Sequence, residues 1–311
     1  MVANVSFAQN NASNYPNRPI HLIVPLAAGS AVDSAARIVT QKMSQNMGQN
    51  FVIENQAGAA GAIGADRVAK ASPDGYTLGG FNDSIMTMLP NIQPQSWDIL
   101  KDFEPVSLVA TIEWGLVVNS ESSIKTAADL IAVAKKDPKQ INYGSGGNGS
   151  PQHIAMALFD AQAGVQMTHV PYKGATQAAL GLAGKEVDAA FLGIATVNAL
   201  VKAGKLRMIA VSTPKRIPQF ASTPTVSESG LAGFEFNSWF TLMAPTGTPK
   251  AIIQKLNAEV MKALADPAVQ NQLLLQGLTP RGTTPDELGK ATRSQLARYG
   301  KLIRDAGIKI E

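Results

Sequence analysis

The chain has 311 residues, 45% of them hydrophobic and 16% charged, which is enough to bury the core of one large domain or two smaller ones. Its 27 basic and 23 acidic residues give a net charge of +4, and because Lys and Arg are scattered along the chain, we expect no nucleic-acid partner. The sequence has no apolar run near the ~20 residues of a membrane span, and the absence of cysteine excludes disulfides, thiolate metal sites and thiol nucleophiles.

The first residues are predicted to be the remnant of a signal peptide. Ser6-Phe7-Ala8 is similar to an A-x-A cleavage site, and the polar stretch from Asn10 to Asn14 follows as a leader, so residues 1–14 are assigned to this segment. The basic and apolar regions of a signal peptide are missing, and a short disordered tail is the alternative. We therefore expect an exported, periplasmic protein whose fold begins near Tyr15.

From Pro19 onward, strand and helix signals alternate along the chain. The predicted strands are His21–Val24, Phe51–Ile53, Tyr76–Phe81, Val106–Ala110, Gly115–Val118, Ile141–Tyr143, Met167–Val170, Ala189–Leu192, Met208–Val211 and Phe234–Met243. The predicted helices are Ser34–Met47, Ala62–Ala69, Ala127–Lys136, Ile154–Gln162, Thr176–Ala183, Thr196–Ala203, Pro249–Leu264, Ala268–Gln276 and Pro285–Arg304. This repeated pattern predicts an α/β protein with parallel sheets that carry helices on both faces.

Two series of βα units predict two lobes. Extended segments near residues 112 and 237 are predicted to cross from one βα series to the other. We therefore assign residues 15–112 plus 237–311 to lobe 1 and residues 113–236 to lobe 2. Two lobes joined by a pair of strands leave a cleft between their strand ends, and such a cleft can close on a ligand.

Three glycine-rich turns each follow a strand and precede a helix, at residues 23–30, 55–61 and 141–150. Such a turn directs backbone N–H groups at the helix N-terminus toward the carboxyl end of the strand, which suits an anion. Tight packing without a ligand is the alternative for any single turn. Nucleotide binding is disfavoured, because the glycines at 58–64 have G-x-x-G-x-x-G spacing and no Walker lysine follows a turn.

Few residues suggest catalysis, and we expect no enzyme, no metal and no cofactor. The three histidines, His21, His153 and His169, lack H-x-x-x-H or H-E-x-x-H spacing. A nucleophile elbow requires G-x-S-x-G, and the residue two before Ser145 is Tyr143. We interpret His21 and His169 as structural, His153 as a ligand contact or a hydrogen-bonding residue at a helix start, and Ser145 as a polar cleft residue or turn former.

Two polar residues follow glycine turns at predicted helix starts. Asp33 is either an N-cap or first-turn carboxylate, or a residue that orients bound water or a polar group of a ligand. Ser150 precedes Pro151, as an N-cap does when proline occupies the first helical position, and we expect its hydroxyl to face the cleft.

An ordered set of short motifs from about Tyr15 to Ile308 resembles the tripartite tricarboxylate transporter substrate-binding family, the Bug-type or TctC-like periplasmic receptors. Each motif is weak alone, and their order is specific. The motifs are Tyr15-Pro16-Asn17-Arg18-Pro19-Ile20, Ile23-Val24-Pro25 with Ala28-Gly29 and Asp33, Glu54-Asn55 with Gly58-Ala59 and Gly61, Pro73-Asp74-Gly75-Tyr76-Thr77-Leu78, Lys101-Asp102-Phe103-Glu104-Pro105-Val106, Tyr143-Gly144-Ser145 with Gly147 and Gly149-Ser150, Val170-Pro171-Tyr172-Lys173-Gly174, Pro224-Thr225-Val226 with Glu228-Ser229-Gly230, and Ala244-Pro245 with Gly247-Thr248-Pro249.

The resemblance implies a fold and a function. The fold would be two α/β lobes of the Venus-flytrap type, similar to type II periplasmic binding proteins, with two crossover strands. The function would be capture of a small carboxylic acid for a membrane permease by a monomeric receptor, with ligand carboxylates held by main-chain amides and ordered waters. The alternatives are a sensory receptor that presents its ligand to a membrane kinase, and a hydrolase using Ser145 or His153.

The motifs and the turn argument together give the predicted ligand-binding residues. They are Leu26, Ala28, Gly29, Ser30, Asp33, Phe81, Asn82, Ser84, Ser145, Gly147, Asn148, Ser150, His153, Tyr172, Lys173, Gly193 and Trp239.

Three features of this chain bear on which carboxylate it would bind. Ser30 stands where the family usually has a second glycine, so it can add a hydroxyl donor but also narrows the turn. An Asp83 that lines the cleft would repel a dicarboxylate unless it faces away. Phe81, Trp114 and Trp239, if they face the ligand, favour an aromatic carboxylate such as terephthalate over a short aliphatic diacid; core packing is the alternative for each.

Overall fold

The computed structural model describes residues 14–138 and 140–305. The predicted signal remnant therefore lies outside the described residues, except for Asn14. The strands are β1 (Ile20–Val24), β2 (Phe51–Asn55), β3 (Thr77–Asn82), β4 (Phe103–Ile112), β5 (Trp114–Asn119), β6 (Asn142–Ser145), β7 (Thr168–Pro171), β8 (Ala189–Gly193), β9 (Leu206–Val211), β10 (Ser238–Pro245) and β11 (Leu278–Pro280). The helices are α1 (Ala31–Met47), α2 (Ala62–Ala69), α3 (Leu89–Ile92), α4 (Ala127–Lys136), α5 (Pro151–Ala163), α6 (Ala175–Ala183), α7 (Ile194–Lys202), α8 (Lys250–Leu264), α9 (Pro267–Leu275) and α10 (Pro285–Asp305).

The strands form two sheets. The first has the order β11-β4-β10-β3-β1-β2, and the second has the order β7-β6-β8-β5-β9. Within the first sheet β1 is parallel to β2 and β3, and within the second β6 is parallel to β7 and β8. The fold is thus an α/β fold of two lobes, as predicted.

The expectation of purely parallel sheets is wrong, because each sheet contains an antiparallel crossing strand. In the first sheet β10 is antiparallel to β3 and β4, and in the second β5 is antiparallel to β8 and β9. The parallel strands of each lobe end at the cleft. A strand that enters a lobe from the cleft must therefore run in the opposite direction, and β5 and β10 both enter in this way.

The chain passes from the first sheet to the second at Glu113, between β4 and β5. The Glu113 N–H donates to the Gly277 carbonyl at 3.1 Å, and the Glu113 carbonyl accepts from the Ile194 N–H at 2.9 Å. The Thr279 hydroxyl donates to the Glu113 carboxylate at 2.7 Å, and burial raises the pKa of this carboxyl. Groups on both sides of the crossing therefore hold Glu113 in place.

Serine N-caps and left-handed glycines set the ends of the two longest helices next to the cleft. The Ser30 side chain caps α1 and Gly48 ends it at φ 67°, while the Ser150 side chain caps α5 and Gly164 ends it at φ 62°. The α1 helix begins at Ala31, three residues before the predicted start, because Ser30 rather than Asp33 is the cap.

Candidate functional site

A cavity of about 750 Å³ lies between the two sheets, at the carboxyl ends of their parallel strands. Residues of both lobes line it, including the segment that follows β1 and the segment that follows β6. A crevice at this place is the usual ligand site of an open α/β sheet.

Several helix N-termini converge on the cavity. Its lining includes residues 30–32 at the start of α1, 150–152 at the start of α5, 174–175 at the start of α6 and 58–61 before α2. The first N–H groups of a helix have no partner within the helix, and they carry the positive end of its dipole. The arrangement therefore presents backbone donors to an anion from both lobes.

The first glycine turn is held by the buried side chain of Asp33. Its carboxylate accepts from the Gly29 N–H at 2.9 Å, from Asn55 Nδ2 at 3.0 Å and from Arg37 Nε at 3.0 Å. Burial raises the pKa of Asp33, but the hydrogen bonds from Arg37, Gly29 and Asn55 outweigh it and hold the pKa below its usual range. Asp33 thus stays ionised and orders the turn, and it does not line the cavity.

The third glycine turn, at residues 141–150, is held by hydrogen bonds that involve a serine and two histidines. The Ser145 hydroxyl lies 2.6 Å from His169 Nε2 and accepts from the Gly147 N–H at 3.1 Å. His153 Nδ1 accepts from the Gly149 N–H at 3.1 Å. Because His153 accepts this bond, its ring is in the neutral form that carries no proton on Nδ1.

The His153 and His169 rings stack on each other under this turn, with centroids 4.0 Å apart and planes 7° apart. The Tyr143 ring lies beside this pair, with its centroid 5.0 Å from that of His169 and 6.5 Å from that of His153. Burial lowers the pKa of His153 to about 4, and burial together with the neighbouring His153 lowers the pKa of His169 to about 4. Both rings are therefore neutral near pH 7, and they do not line the cavity.

About half of the predicted ligand-binding residues line the cavity. They are Leu26, Ser30, Asn82, Gly147, Asn148, Ser150, Tyr172, Lys173 and Gly193. Their contact with a ligand remains a prediction.

The other predicted residues lie outside the lining. They are Ala28, Gly29, Asp33, Phe81, Ser84, Ser145, His153 and Trp239. Phe81 is fully buried and packs edge-on against Phe103, while Ser84 donates to the Asn82 side chain. Trp239 packs in the same core cluster as Phe81. For Phe81 and Trp239, the strand neighbours Asn82 and Ser238 occupy the cavity face instead.

The other lining residues are absent from the set of predicted ligand-binding residues, although the predicted turns contain several of them. They are Pro25, Ala27, Ala31, Val32, Ala57, Gly58, Ala59, Ala60, Gly61, Gln93, Ile112, Trp114, Gly146, Pro151, Gln152, Pro171, Gly174, Ala175, Gln177, Thr196 and Ser238. Residues 25, 27, 57–61 and 146 lie within the predicted turns, and residues 31–32 and 151–152 would have been found by extending two of the turns by two residues. Gln93 and Ser238 carry no such signal.

The lining is mostly uncharged. Among the described residues that line the cavity, Lys173 is the one with a charged side chain, and much of the remainder is alanine, proline, glycine and larger apolar residues. Asp83 is fully buried and is not among the lining residues, so the concern that it lines the cleft does not apply. The cavity thus combines apolar walls with backbone donors and one cation.

The two lobes touch each other across the cavity. The Thr176 hydroxyl of α6 donates to the Ala28 carbonyl at 3.0 Å, and Asn198 Nδ2 of α7 donates to the Leu275 carbonyl at 3.0 Å. A Cβ added at Gly174 would lie 2.8 Å from the Ala27 Cβ. The structure is therefore a closed arrangement of the lobes.

Neither a metal site nor a membrane-spanning helix is found in the described part of the chain. In residues 14–138 and 140–305, no group of three or more His, Cys, Asp and Glu side chains is arranged to hold a metal ion. In the same part of the chain, no helix has the length and apolar character needed to cross a membrane.

Two lobes that close over a cavity with apolar walls, backbone donors and the Lys173 cation define a solute-binding protein. Comparison with known proteins supports this class. A family model described as a tripartite tricarboxylate transporter family receptor, TctC, matches residues 35–308. The chain belongs to the TctC family, whose members are binding proteins and not enzymes. The hydrolase alternative is thereby excluded.

Three relatives illustrate the similarity. The protein BugT of Bordetella pertussis is 33% identical over 306 residues, which cover 97% of this chain and 93% of BugT. An R. palustris protein solved with adipate has a TM-score of 0.92 at 34% identity and covers 95% of this chain and 99% of its own. MatC from Rhodopseudomonas palustris, solved with bound malate, has a TM-score of 0.88 at 29% identity, with coverage of 93% and 100%.

Proposed function

We propose that this protein is the periplasmic receptor that captures a small dicarboxylate and delivers it to the permease of a tripartite tricarboxylate transporter. The observation that carries the proposal is the convergence of helix N-termini from both lobes on one closed cavity. Solved relatives with adipate and malate, which are both dicarboxylates, support the same class of ligand. We further propose a monomeric receptor, since each lobe of one chain supplies half of the site.

The two carboxylates of the ligand would bind at opposite sides of the cavity. One would accept from the N-terminus of α1 with the Ser30 hydroxyl, and the other from the N-terminus of α5 with the Ser150 hydroxyl. Both hydroxyls already accept a backbone N–H as helix caps, which leaves the hydroxyl proton available to donate. Lys173 would add long-range attraction for the anion.

The apolar walls accommodate either an aliphatic chain or an aromatic ring between the carboxylates. Of the three aromatic residues considered from the sequence, Trp114 lines the cavity, whereas Phe81 and Trp239 do not. We therefore keep terephthalate in the proposed ligand class together with aliphatic diacids such as adipate.

A thermal-shift and calorimetry panel tests the proposal. It contains malate, succinate, adipate, terephthalate, benzoate, the amino acids and ATP. A ligand that binds only the folded protein stabilises it by about 2.7 kcal/mol when present at 100 times its Kd, so a true ligand gives a clear rise in Tm. A response to dicarboxylates supports the proposal, and a response to none of the carboxylates overturns it.

Lys173→Met and Lys135→Met form a matched pair for the same assay. Both remove one exposed cation, but Lys173 lines the cavity and Lys135 lies in the last turn of α4. We expect the first change to weaken dicarboxylate binding by roughly three- to tenfold at low salt. We expect the second to leave the affinity unchanged, and equal effects of the two would contradict a local role for Lys173.

A further inference from the structure

The carboxylate of Asp83 is fully buried and is separated from the cavity by the lining residues Asn82 and Ser238. Asp83 follows β3 and precedes the helical turn Ser84–Met88. Its Oδ1 accepts from the Ser238 hydroxyl and from the Trp239 N–H, the latter at 3.2 Å. Its Oδ2 is buried and has no hydrogen-bond partner among the described residues. A buried acceptor without a partner is costly and calls for an explanation.

Asp83 is joined to the cavity through its two neighbours, Ser238 and Asn82, which line it. While Asp83 is ionised, the single hydroxyl proton of Ser238 is committed to Asp83 Oδ1. Ser238 then presents only lone pairs to the cavity, which disfavours a carboxylate there. A protonated Asp83 can instead donate to the Ser238 oxygen, and the Ser238 proton is then released to donate to a ligand.

We propose that Asp83 takes up one proton when a ligand carboxylate enters the cavity, so that the receptor binds an anion and a proton together. This inference rests on the proposed function. The proton comes from solvent and forms an O–H bond with a carboxylate oxygen of Asp83, and no other bond is formed or broken. The dicarboxylate arrives with two negative charges, and the proton offsets one of them.

Electrostatics favours this uptake. Two carboxylates close together in a buried site cannot both remain ionised at low cost. Burial raises the pKa of Asp83, and hydrogen bonds from Ser238, Trp239 and nearby backbone N–H groups lower it. Burial is the larger effect, and the resulting pKa is about 6. A ligand carboxylate nearby would raise this pKa further, into the range of neutral pH.

The groups around Asp83 do not supply a compensating charge. Among the described residues, the influences on its carboxyl are burial and hydrogen bonds, without an ion pair. On α10, Tyr299 interacts with Asp83, and its pKa is raised by burial and then by the charge of Asp83, so it stays neutral. Arg298 and Glu235 act on Tyr299 with opposite signs.

Calorimetry in buffers with different ionisation enthalpies measures the uptake directly. With adipate at pH 7, or terephthalate if adipate does not bind, we expect the wild type to take up between about 0.5 and 1 proton per ligand. Its affinity should fall as pH rises from 6 to 8, by up to about tenfold per pH unit. Asp83→Asn should bind with no proton uptake and with an affinity independent of pH in this range.

Asp160→Asn is the matched control. Burial also raises the pKa of Asp160 to about 6, but this residue lies on α5 outside the cavity lining. We expect it to take up protons like the wild type. Loss of uptake in this variant alone would assign the proton to Asp160 and overturn the inference.

Two other results would also decide the matter. A wild type that binds a dicarboxylate without proton uptake overturns the inference and leaves the proposed function standing, whereas a wild type that binds no carboxylate overturns both. If Asp83→Asn does not fold, Ser238→Ala replaces it. Loss of this hydrogen bond should move the proton uptake to higher pH, and an unchanged pH profile would count against the inference.

Discussion

Asp33 and Asp83 are both buried aspartates next to the same cavity, yet burial and hydrogen bonding give them opposite pKa shifts. Asp33 gains Arg37, Asn55 and a backbone N–H, which outweigh burial and hold its pKa low. Asp83 gains neutral donors alone, and burial dominates, so its pKa rises to about 6. Burial opposes ionisation more strongly at Asp83, and the cationic Arg37 donor beside Asp33 has no counterpart among the groups that act on Asp83, so Asp33 is the aspartate that remains ionised.

Asp33→Asn should destabilise the protein at neutral pH. The pKa of Asp33 is lower in the folded protein than in the unfolded chain. Ionised Asp33 therefore adds to the free energy of unfolding at pH values above its pKa in the unfolded chain, and this stabilisation is lost as the pH falls through its pKa in the folded protein. Loss of a charge-assisted hydrogen-bond network costs about 2 kcal/mol. Urea unfolding should show this difference at pH 7 and a smaller one near pH 3; a difference that does not change with pH would contradict the assignment.

The stacked histidines predict a loss of stability in acid. Their pKa values are about 4 in the folded protein, compared with 6.5 for the unperturbed side chain, so between pH 6.5 and 4 the unfolded chain binds more protons. The free energy of unfolding therefore decreases as the pH is lowered from 6.5 to 4, by up to about 3 kcal/mol for each histidine. His153→Asn should remove roughly half of this decline in urea midpoints measured from pH 7 to pH 4.5.

His21→Asn is the control for that measurement, because His21 lies on β1, outside the stack, and pairs with Glu54. The decline in acid should persist in this variant. A decline of the same size in His153→Asn would show that other groups cause it.

At the scale of elements, three helices have comparable N-caps but different surroundings. Ser30 and Ser150 cap α1 and α5 at the cavity, while Thr126 caps α4 with a capping box away from it. Helix stability and ligand binding can therefore be separated by changing these caps one at a time.

Ser30→Ala, Ser150→Ala and Thr126→Ala should each lower the stability by about 1 kcal/mol, since each removes an N-cap. Only the first two remove a hydroxyl from the cavity lining. We expect those two to weaken dicarboxylate binding by about tenfold and Thr126→Ala to leave the Kd unchanged in calorimetry. Equal affinities for all three variants would argue that the caps do not contact the ligand.

Sequence periodicity predicted most elements, and it failed where the signal is short or local. The helices α2 and α4 begin and end at the predicted residues. The three-residue strand β11 is too short for a pattern, since its pairing with β4 is set by the tertiary fold. The residues Ser84–Met88 are all buried and α3 has only four residues, so this segment showed no helical period.

The candidate site shows the same limit at the level of strand faces. Phe81 and Asn82 are neighbours on β3, and Ser238 and Trp239 are neighbours on β10. Successive side chains of a strand point to opposite faces, so one member of each pair lines the cavity and the other enters the core. The sequence identified these segments correctly but could not assign the faces, because both faces of a central strand are buried.

At the scale of the whole molecule, closure depends on close approach of the lobes at a few small residues. Gly174 precedes α6 in extended backbone, which any residue can adopt, and within its own lobe an added Cβ would meet only the end of the flexible Gln177 side chain, at 2.9 Å from Oε1. The added Cβ would instead lie 2.8 Å from the Ala27 Cβ of the opposing lobe. The predicted residue boundaries of the lobes remain a prediction, and this contact offers a way to test their movement.

Gly174→Val should hold the lobes apart. We expect a larger radius of gyration in small-angle scattering with dicarboxylate present, at least a tenfold loss of affinity and little change in Tm, because the substitution penalises only the closed state. Gly289→Ala serves as the control, since a Cβ there has no neighbour closer than 3.6 Å. A compact Gly174→Val protein with normal affinity would contradict closure at this contact.

The position of β10 in the first sheet has a consequence for the order in which the chain can fold. The strand lies between β3 and β4, although more than a hundred residues separate β10 from either of them along the chain. A nascent or truncated chain that ends before Ser238 can complete the second sheet, but it leaves β3 and β4 with unpaired edges. Such edges can pair with other chains, so partly synthesised or clipped forms of this protein are at risk of aggregation until residues 238–245 are in place.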